Sequence, residues 1–236
     1  MKTYRIADVI VGMAVSGRTL KQAQPYEIPQ TTPEMIVYSK PEALREIQPH
    51  LSLDDCEYIL TGDCFYKRLS FFDGMMLHSS CVVVDGKAYL FSAPSGVGKS
   101  THTELWLKLL GDRAYILNDD KPALRVVDGK LMAYGTPWSG ATDRAVNHGV
   151  PVGGIAVLKR AEDNRIRLMS PSEALFYIMD QSMRFSSDED KDRFYAILGQ
   201  VIGMTKIYEL SCNMDISSAK LSYETMTEMR LNENED

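Results

Sequence analysis

The run Ala93-Pro94-Ser95-Gly96-Val97-Gly98-Lys99-Ser100 constrains this chain more than any other segment. It follows the pattern Gly-x-x-x-x-Gly-Lys-Ser/Thr, with Ala93 in the place of the first glycine. Such a loop needs small residues, because its backbone N–H groups must close around phosphate oxygens. It also needs a strand before it and a helix after it, since the helix N-terminus completes the anion site. The flanks suit that demand. Ala88 to Ser92 reads as a strand, and Ser100 to Leu110 reads as a helix closed by Gly111. Pro94, Ser95, Gly96, Val97, Gly98, Lys99, Ser100 and Thr101 are therefore the expected phosphate-binding residues of a nucleoside triphosphate site. Lys99 is expected on the β- and γ-phosphates, and the Ser100 hydroxyl on a magnesium ion. Alanine at position 93 is small, and its place at a strand end does not require a positive φ.

The 236 residues suit one full domain, or one domain with a smaller lobe. A net charge of −6 argues against a non-specific nucleic-acid binder, which normally carries a basic face, so no nucleic-acid partner is expected. One cluster of donors can still hold anions locally against that field. Cys56, Cys64, Cys81 and Cys212 show neither Cys-x-x-Cys spacing nor a neighbouring histidine pair, which reads as buried free thiols. The polar N-terminus with Asp8 in its apolar stretch does not read as a signal peptide, and no long apolar run suggests a membrane span. The expected location is the cytoplasm.

Residues 1–75 read as a small mixed α+β lobe. Tyr4 to Val15 suggests a strand pair turned at Gly12 or Gly17, Met35 to Tyr38 a strand, Pro41 to Ile47 a short helix, and aromatic Phe65 to Phe72 another strand. Residues 76–236 read as the P-loop domain. Strands are expected at His78 to Val84, Ala114 to Leu117, Val152 to Leu158 and Lys206 to Leu210. A hairpin turn falls at Asp85-Gly86-Lys87, and Ala123 to Val127 with Lys130 to Tyr134 forms a second hairpin around Asp128-Gly129. Helices are expected from Ser170 to about Arg184, from Asp190 to Met204 and from Ser218 to Leu231, with a frayed acidic tail at 232–236.

Asp119-Asp120 closes the apolar strand that follows the P-loop helix. A strand-end carboxylate is where P-loop enzymes place a second magnesium ligand. Neighbours in an extended segment point to opposite sides, so one carboxylate can face a metal while the other accepts a proton from an acceptor hydroxyl. The sequence leaves open which does which.

The run His78-Ser79-Ser80-Cys81-Val82-Val83-Val84, the P-loop, and Leu117-Asn118-Asp119-Asp120 together resemble the catalytic domain of HPr kinase/phosphorylase. The arrangement is also similar to the nucleotide site of phosphoenolpyruvate carboxykinase. The resemblance covers about Met76 to Arg160. It implies an α/β fold with a P-loop core, mixed β-sheets and flanking helices, beside the small N-terminal mixed lobe. It implies a serine kinase using ATP and Mg2+, with Ser100 and Asp119 holding the metal, Asp120 as base and His78 assisting. It also implies a homo-oligomer. The acceptor is an unidentified hydroxyl of a peptide, protein or small molecule. The chain departs from that family at Ala93 and lacks its later Glu-x-Arg-Gly run.

In its place stands Gly135-Thr136-Pro137-Trp138-Ser139-Gly140, where Thr136, Trp138 and Ser139 are expected to shape the acceptor site with Trp138 as a wall. Arg144 is the candidate cation for the γ-phosphate, ahead of Lys159 and Arg160. Two other functions fit the motifs: a carboxykinase-like enzyme on a small acid, and a nucleotide-binding regulatory module with little turnover.

Overall fold

The computed structural model describes residues 1–185 and 187–231, so the acidic run 232–236 lies outside the described residues. The chain opens with a hairpin of β1 (Lys2–Ile6) and β2 (Val9–Met13). The turn falls at Ala7 and Asp8, with φ of 51° and 59°, and not at Gly12 or Gly17. Positive φ at both central residues matches the twist of a two-residue hairpin, and Asp tolerates it. Gly12 instead lies inside β2, opposite Thr3. Helix α1 (Gly17–Ala23) follows, then β3 (Glu27–Ile28) and β4 (Met35–Val37), giving a sheet of order β3-β1-β2-β4. Helix α2 (Pro41–Ile47) is where its proline predicts.

Helix α3 (Leu53–Leu69) overturns the strand expected at Phe65 to Phe72. Its start is fixed by a capping box: the Ser52 hydroxyl accepts from the Asp55 N–H at 3.0 Å, and the Asp55 carboxylate accepts from the Ser52 N–H. Tyr58, Phe65, Tyr66 and Leu69 are buried at helical spacing, so the aromatic run is one helix face. That face shares a core with Tyr4, Ile6, Val11 and Tyr26 of the first sheet region and with Met76, Ala123, Tyr134 and Trp138 from later in the chain.

The second region comprises β5 (Gly74–Met76), β6 (Ser79–Val84), β7 (Lys87–Ser92), α4 (Lys99–Leu110), β8 (Ala114–Asn118), β9 (Ala123–Val127), β10 (Lys130–Tyr134), β11 (Gly149–Arg160), β12 (Arg165–Leu168), α5 (Pro171–Asp180), α6 (Asp188–Met204), β13 (Ile207–Cys212) and α7 (Ile216–Thr227). Both expected hairpins form, turned at Asp85-Gly86 and Asp128-Gly129. Strand β12 was not expected. Helix α5 stops at Asp180, short of Arg184, because Gln181 leaves helical geometry and its carbonyl accepts from the His78 N–H at 2.9 Å. Helix α7 begins and ends earlier than expected, at the Asp215 cap and the left-handed Glu228.

The strands run in the order β5-β9-β10-β11-β7-β6-β8, with β13 on β11 and β12 on β13. Strand β11 is shared. Gly149 to Pro151 pairs antiparallel with β10, and the stretch from Val152 onward pairs parallel with β7 and then β13. Ile155 and Val157 face a core closed by α5 and α6, while Ala156 and Leu158 face α4 and α7. A stretch buried on both faces has to be a continuous apolar run, as β11 is from Gly154 to Leu158. The fold is α/β, with mixed sheets and flanking helices. No helix among the described residues is long and apolar enough to cross a membrane. All four cysteines are free; Cys56 and Cys81 are buried, and Cys64 and Cys212 are half-buried.

Strands β7, β11 and β13 are parallel, and β8 shares their direction because both β7 and β8 run antiparallel to β6. Their carboxyl ends therefore meet at one edge, where crevices form in sheets of this kind.

The helical assignment of α3 has a direct test. A strand would place Phe65 and Phe71 on one face, whereas here Phe65 is fully buried and Phe71 is 59% exposed. Phe65→Ala is expected to cost about 3–5 kcal/mol in urea unfolding. Phe71→Ala, which loses only the cation–π contact of Arg193, is expected to cost at most about 1 kcal/mol.

Candidate active site

Strand β7 delivers the chain into the loop 93–98, and α4 starts at Lys99. Gly96 (φ 79°) and Gly98 (φ 126°) take conformations that a side chain would strain, which accounts for both glycines. Ala93 is fully buried and keeps a negative φ, so the missing glycine costs the loop nothing. Lys99 arches back over the loop, donating from Nζ to the Ala93 carbonyl at 3.0 Å. Its burial holds the ammonium below the usual lysine pKa. Arg160, at the end of β11, donates to the carbonyls of Gly96 and Val97 and so braces the loop from outside.

The end of β8 is organised by Asn118, which is fully buried. Its Oδ1 accepts from the N–H groups of Asp120 (3.0 Å) and Lys121 (2.7 Å), and its Nδ2 donates to the Thr136 carbonyl at 3.0 Å. This side-chain-closed turn sets the two carboxylates in different surroundings. Asp119 is 5% exposed and accepts from the Ser80 hydroxyl at 2.5 Å; that hydroxyl is also 2.8 Å from Thr103 Oγ1. Asp120 lies nearer solvent, 3.2 Å from His78 Nε2 and ion-paired with Lys121. Burial alone would raise the Asp120 carboxyl, but the His78 hydrogen bond and the Lys121 charge outweigh it and hold the pKa at about 2.

A cavity of about 370 Å³ opens over these groups. Of the sequence candidates it is lined by His78, Ser95, Gly96, Gly98, Lys99, Ser100, Thr101, Asp119, Asp120 and Ser139. Pro94, Val97, Thr136, Trp138 and Arg144 are not on its wall. Trp138 is not the acceptor wall expected of it. It is 1% exposed, stacked on Phe65 at 4.8 Å and edge-on to Tyr66 at 5.5 Å, and it fastens its loop to α3. Thr136 is buried as well, bonded to Asn118, the Tyr66 hydroxyl and the Lys121 carbonyl. The Arg144 guanidinium is ion-paired to Glu104, so the cation expected on a γ-phosphate is already engaged; its carbonyl accepts from the Asp119 N–H at 3.1 Å. Lys159 is paired with Glu209 at 2.5 Å.

Several residues enter the site that were not among the expected site residues. Gln181 supports His78, Ser80 supports Asp119, and Lys121 pairs with Asp120. Lys121 had a signal in sequence because it directly follows the acidic pair, and Ser80 because it lies in the run from His78 to Val84; Gln181 had none. The cavity wall at Ser139 to Thr142 is held by the N-terminal helices. Arg18 on α1 donates to the Gly140 carbonyl and stands 4.0 Å over the Tyr58 ring, while the Tyr58 hydroxyl accepts from the Gly140 N–H at 3.0 Å. Gln22 donates to Asp143, the next acidic residue of the same loop.

No family model matches the chain, and no curated protein matches it. Among solved structures the chain is similar to the Hpr(Ser) kinase/phosphatase from Coxiella burnetii, with 13% identity and a TM-score of 0.37 over 65% of this chain and 93% of that one. At that score the likeness carries no residue across, and the chemistry rests on the site's own geometry.

Two outcomes are expected. Asn118→Ala orphans buried backbone groups of Asp120, Lys121 and Thr136, and should cost roughly 1–3 kcal/mol in chemical unfolding. Asp120 has a folded pKa below its ordinary 3.8. Its ionised form therefore stabilises the fold above about pH 4, and that contribution is lost as pH falls towards about 2. Asp120→Asn should flatten stability across that window by about 2 kcal/mol, read from urea unfolding at stepped pH.

Proposed function

We propose that this chain is an ATP- and magnesium-dependent phosphotransferase that moves a γ-phosphoryl group to a hydroxyl of a peptide, protein or small molecule. The observation that carries the reading is one cavity lined by the glycine-containing loop 93–98 with the start of α4 and by two adjacent carboxylates of unlike environment. A module that only binds a nucleotide needs the loop alone. The second carboxylate, open to the cavity beside a histidine, is what a transfer to an acceptor requires.

The donor set fits magnesium. The Ser100 hydroxyl and the Asp119 carboxylate are oxygens on one cavity wall, and a small hard cation takes its remaining ligands from phosphate and water. When bound, the ion would neutralise charge on the β- and γ-phosphates. Lys99 would exchange the Ala93 carbonyl for phosphate oxygens, and the open N–H groups of the loop would hold the chain of phosphates.

Asp120 would act on the acceptor. The acceptor oxygen bonds to the γ-phosphorus, the bond from that phosphorus to the β,γ-bridging oxygen breaks, and the acceptor proton passes to Asp120. A carboxylate of pKa about 2 is a weak base. That suits a loose transition state, in which the hydroxyl becomes acidic only as its bond to phosphorus forms. Asp120 thus orients the hydroxyl first and takes the proton late, while His78 and Lys121 keep it ionised and aimed.

The test separates binding from transfer. Lys99→Ala should abolish ATP binding in calorimetry. Asp120→Asn should bind ATP within a few-fold of wild type, yet transfer phosphate about 10²–10⁴-fold more slowly, followed by mass spectrometry of candidate acceptors. Unchanged turnover in Asp120→Asn, or wild-type protein that binds ATP and never phosphorylates any acceptor offered, would sink the reading.

A further inference from the structure

A cleft of about 570 Å³ opens between α2 and α3 and shares no lining residue with the catalytic cavity. Ala43, Leu44 and Ile47 line it from α2, and Leu60 and Cys64 line it from α3. We infer that this cleft docks a short segment of a partner polypeptide in which apolar anchor side chains stand among acidic residues. The inference goes beyond the phosphotransferase reading and does not rest on it.

Three observations carry it. The first is a helix that buries nothing. Helix α2 has seven residues, too few to hold a helix in water unaided, so an apolar face packed on a neighbour has to stabilise it. Ala43, Leu44 and Ile47 form such a face at helical spacing, yet no residue of α2 is buried, and Ile47 is 73% exposed. Tyr38, just past β4 on the same cleft, is 62% exposed. Apolar side chains gathered on one exposed wall mark a contact surface, whereas single scattered ones do not.

The second is charge. Lys40, Lys67 and Arg68 stand on the wall against one carboxylate, Asp63, which Lys67 already engages at 2.8 Å. Glu42 and Glu46 of α2 are not on that wall. In a chain of net charge −6 this is a local excess of positive charge, and complementarity selects an acidic partner for it. The Arg68 guanidinium lies 5.2 Å from the centre of the Tyr38 ring, so a cation is held against the apolar wall. The third is size. Leu60, Asp63, Cys64, Lys67 and Arg68 recur turn by turn along α3, so the wall runs for about two turns, roughly 11 Å. That length seats two anchor side chains and the residues beside them. Apolar anchors in a groove between helices, with charges at its rim, are a recurring way to hold a short polypeptide segment.

The probes are two sets of synthetic peptides with the same leucine and phenylalanine anchors, one with glutamate between them and one with lysine. They are titrated into the intact chain and followed by fluorescence anisotropy. The glutamate set should bind at least about tenfold more tightly than the lysine set. Ile47→Asp, at an exposed position where folding is not at stake, should weaken the glutamate set at least about tenfold, the size expected of one lost apolar anchor contact. Ile59→Asp, on α3 but off the cleft wall, should bind as wild type does. Lys40→Glu combined with Lys67→Glu should reverse the preference in favour of the lysine set. The inference is overturned if the glutamate set does not bind, if the two sets bind equally, or if Ile47→Asp binds as wild type does. It is also overturned if sedimentation shows that wild type self-associates and Ile47→Asp does not, which would give the cleft to a second copy of the chain. None of these outcomes touches the Lys99 and Asp120 tests above, so the two readings fail separately.

Discussion

The site depends first on a neutral side chain, the buried amide of Asn118. Its carbonyl oxygen holds two successive backbone N–H groups and its amino group holds the Thr136 carbonyl, so one residue joins the end of β8 to the loop after β10. Thr136 in turn bonds the Tyr66 hydroxyl of α3. A chain of buried hydrogen bonds therefore runs from the N-terminal helix to the acidic pair. Such groups are costly to leave unpaired, which makes the arrangement stiff. The carboxylates are held by a network whose members must all be in place together.

That stiffness lets two identical side chains differ. Asp119 is shut in with two hydroxyl-bearing residues, and Asp120 is set between an imidazole and an ammonium. The sequence could say only that neighbours on an extended segment point apart. The surroundings decide the rest. The closed position suits a ligand to a fixed cation, and the open one suits a group that meets an incoming hydroxyl. The alternation left the assignment of roles free, and the burial of Asp119 supports giving it the metal.

What was legible in the sequence tracks the range of the forces involved. The loop 93–98, its flanking strand and helix, and the Asp128-Gly129 hairpin are fixed by residues within a few positions of one another, and the strand, helix and hairpin stand where their local signals put them. Long-range packing was not legible. The aromatic run of α3 has strand-like composition; the capping box at Ser52 starts the helix locally, and burial against Trp138 and the first sheet makes the run its inner face. Arg144 looked like a free cation because Glu104, forty positions earlier on α4, cannot be recognised as its partner without the fold. Trp138 looked like a wall because its loop lies between two strands downstream of the acidic pair, whereas here its ring is core.

The same long-range packing brings residues 1–75 to the wall of the cavity. The wall at Ser139 to Thr142 belongs to the cavity, yet its backbone is tied to Arg18, Gln22 and Tyr58 through Gly140 and Asp143. The Tyr58 hydroxyl accepts a hydrogen bond there, and burial pushes its pKa up to about 12, so it stays a neutral acceptor at any working pH. Arg18 spends one face on the Tyr58 ring and one nitrogen on the Gly140 carbonyl. Gly140 also packs against Asp120, closely enough that an added Cβ would stand 2.8 Å from the Asp120 Cβ. A shift of α1 relative to the sheet would therefore move the wall and press on the Asp120 carboxylate. In the proposed reaction the loop and strand ends hold the nucleotide, and the N-terminal helices set the shape of the space left for the group that receives its phosphate.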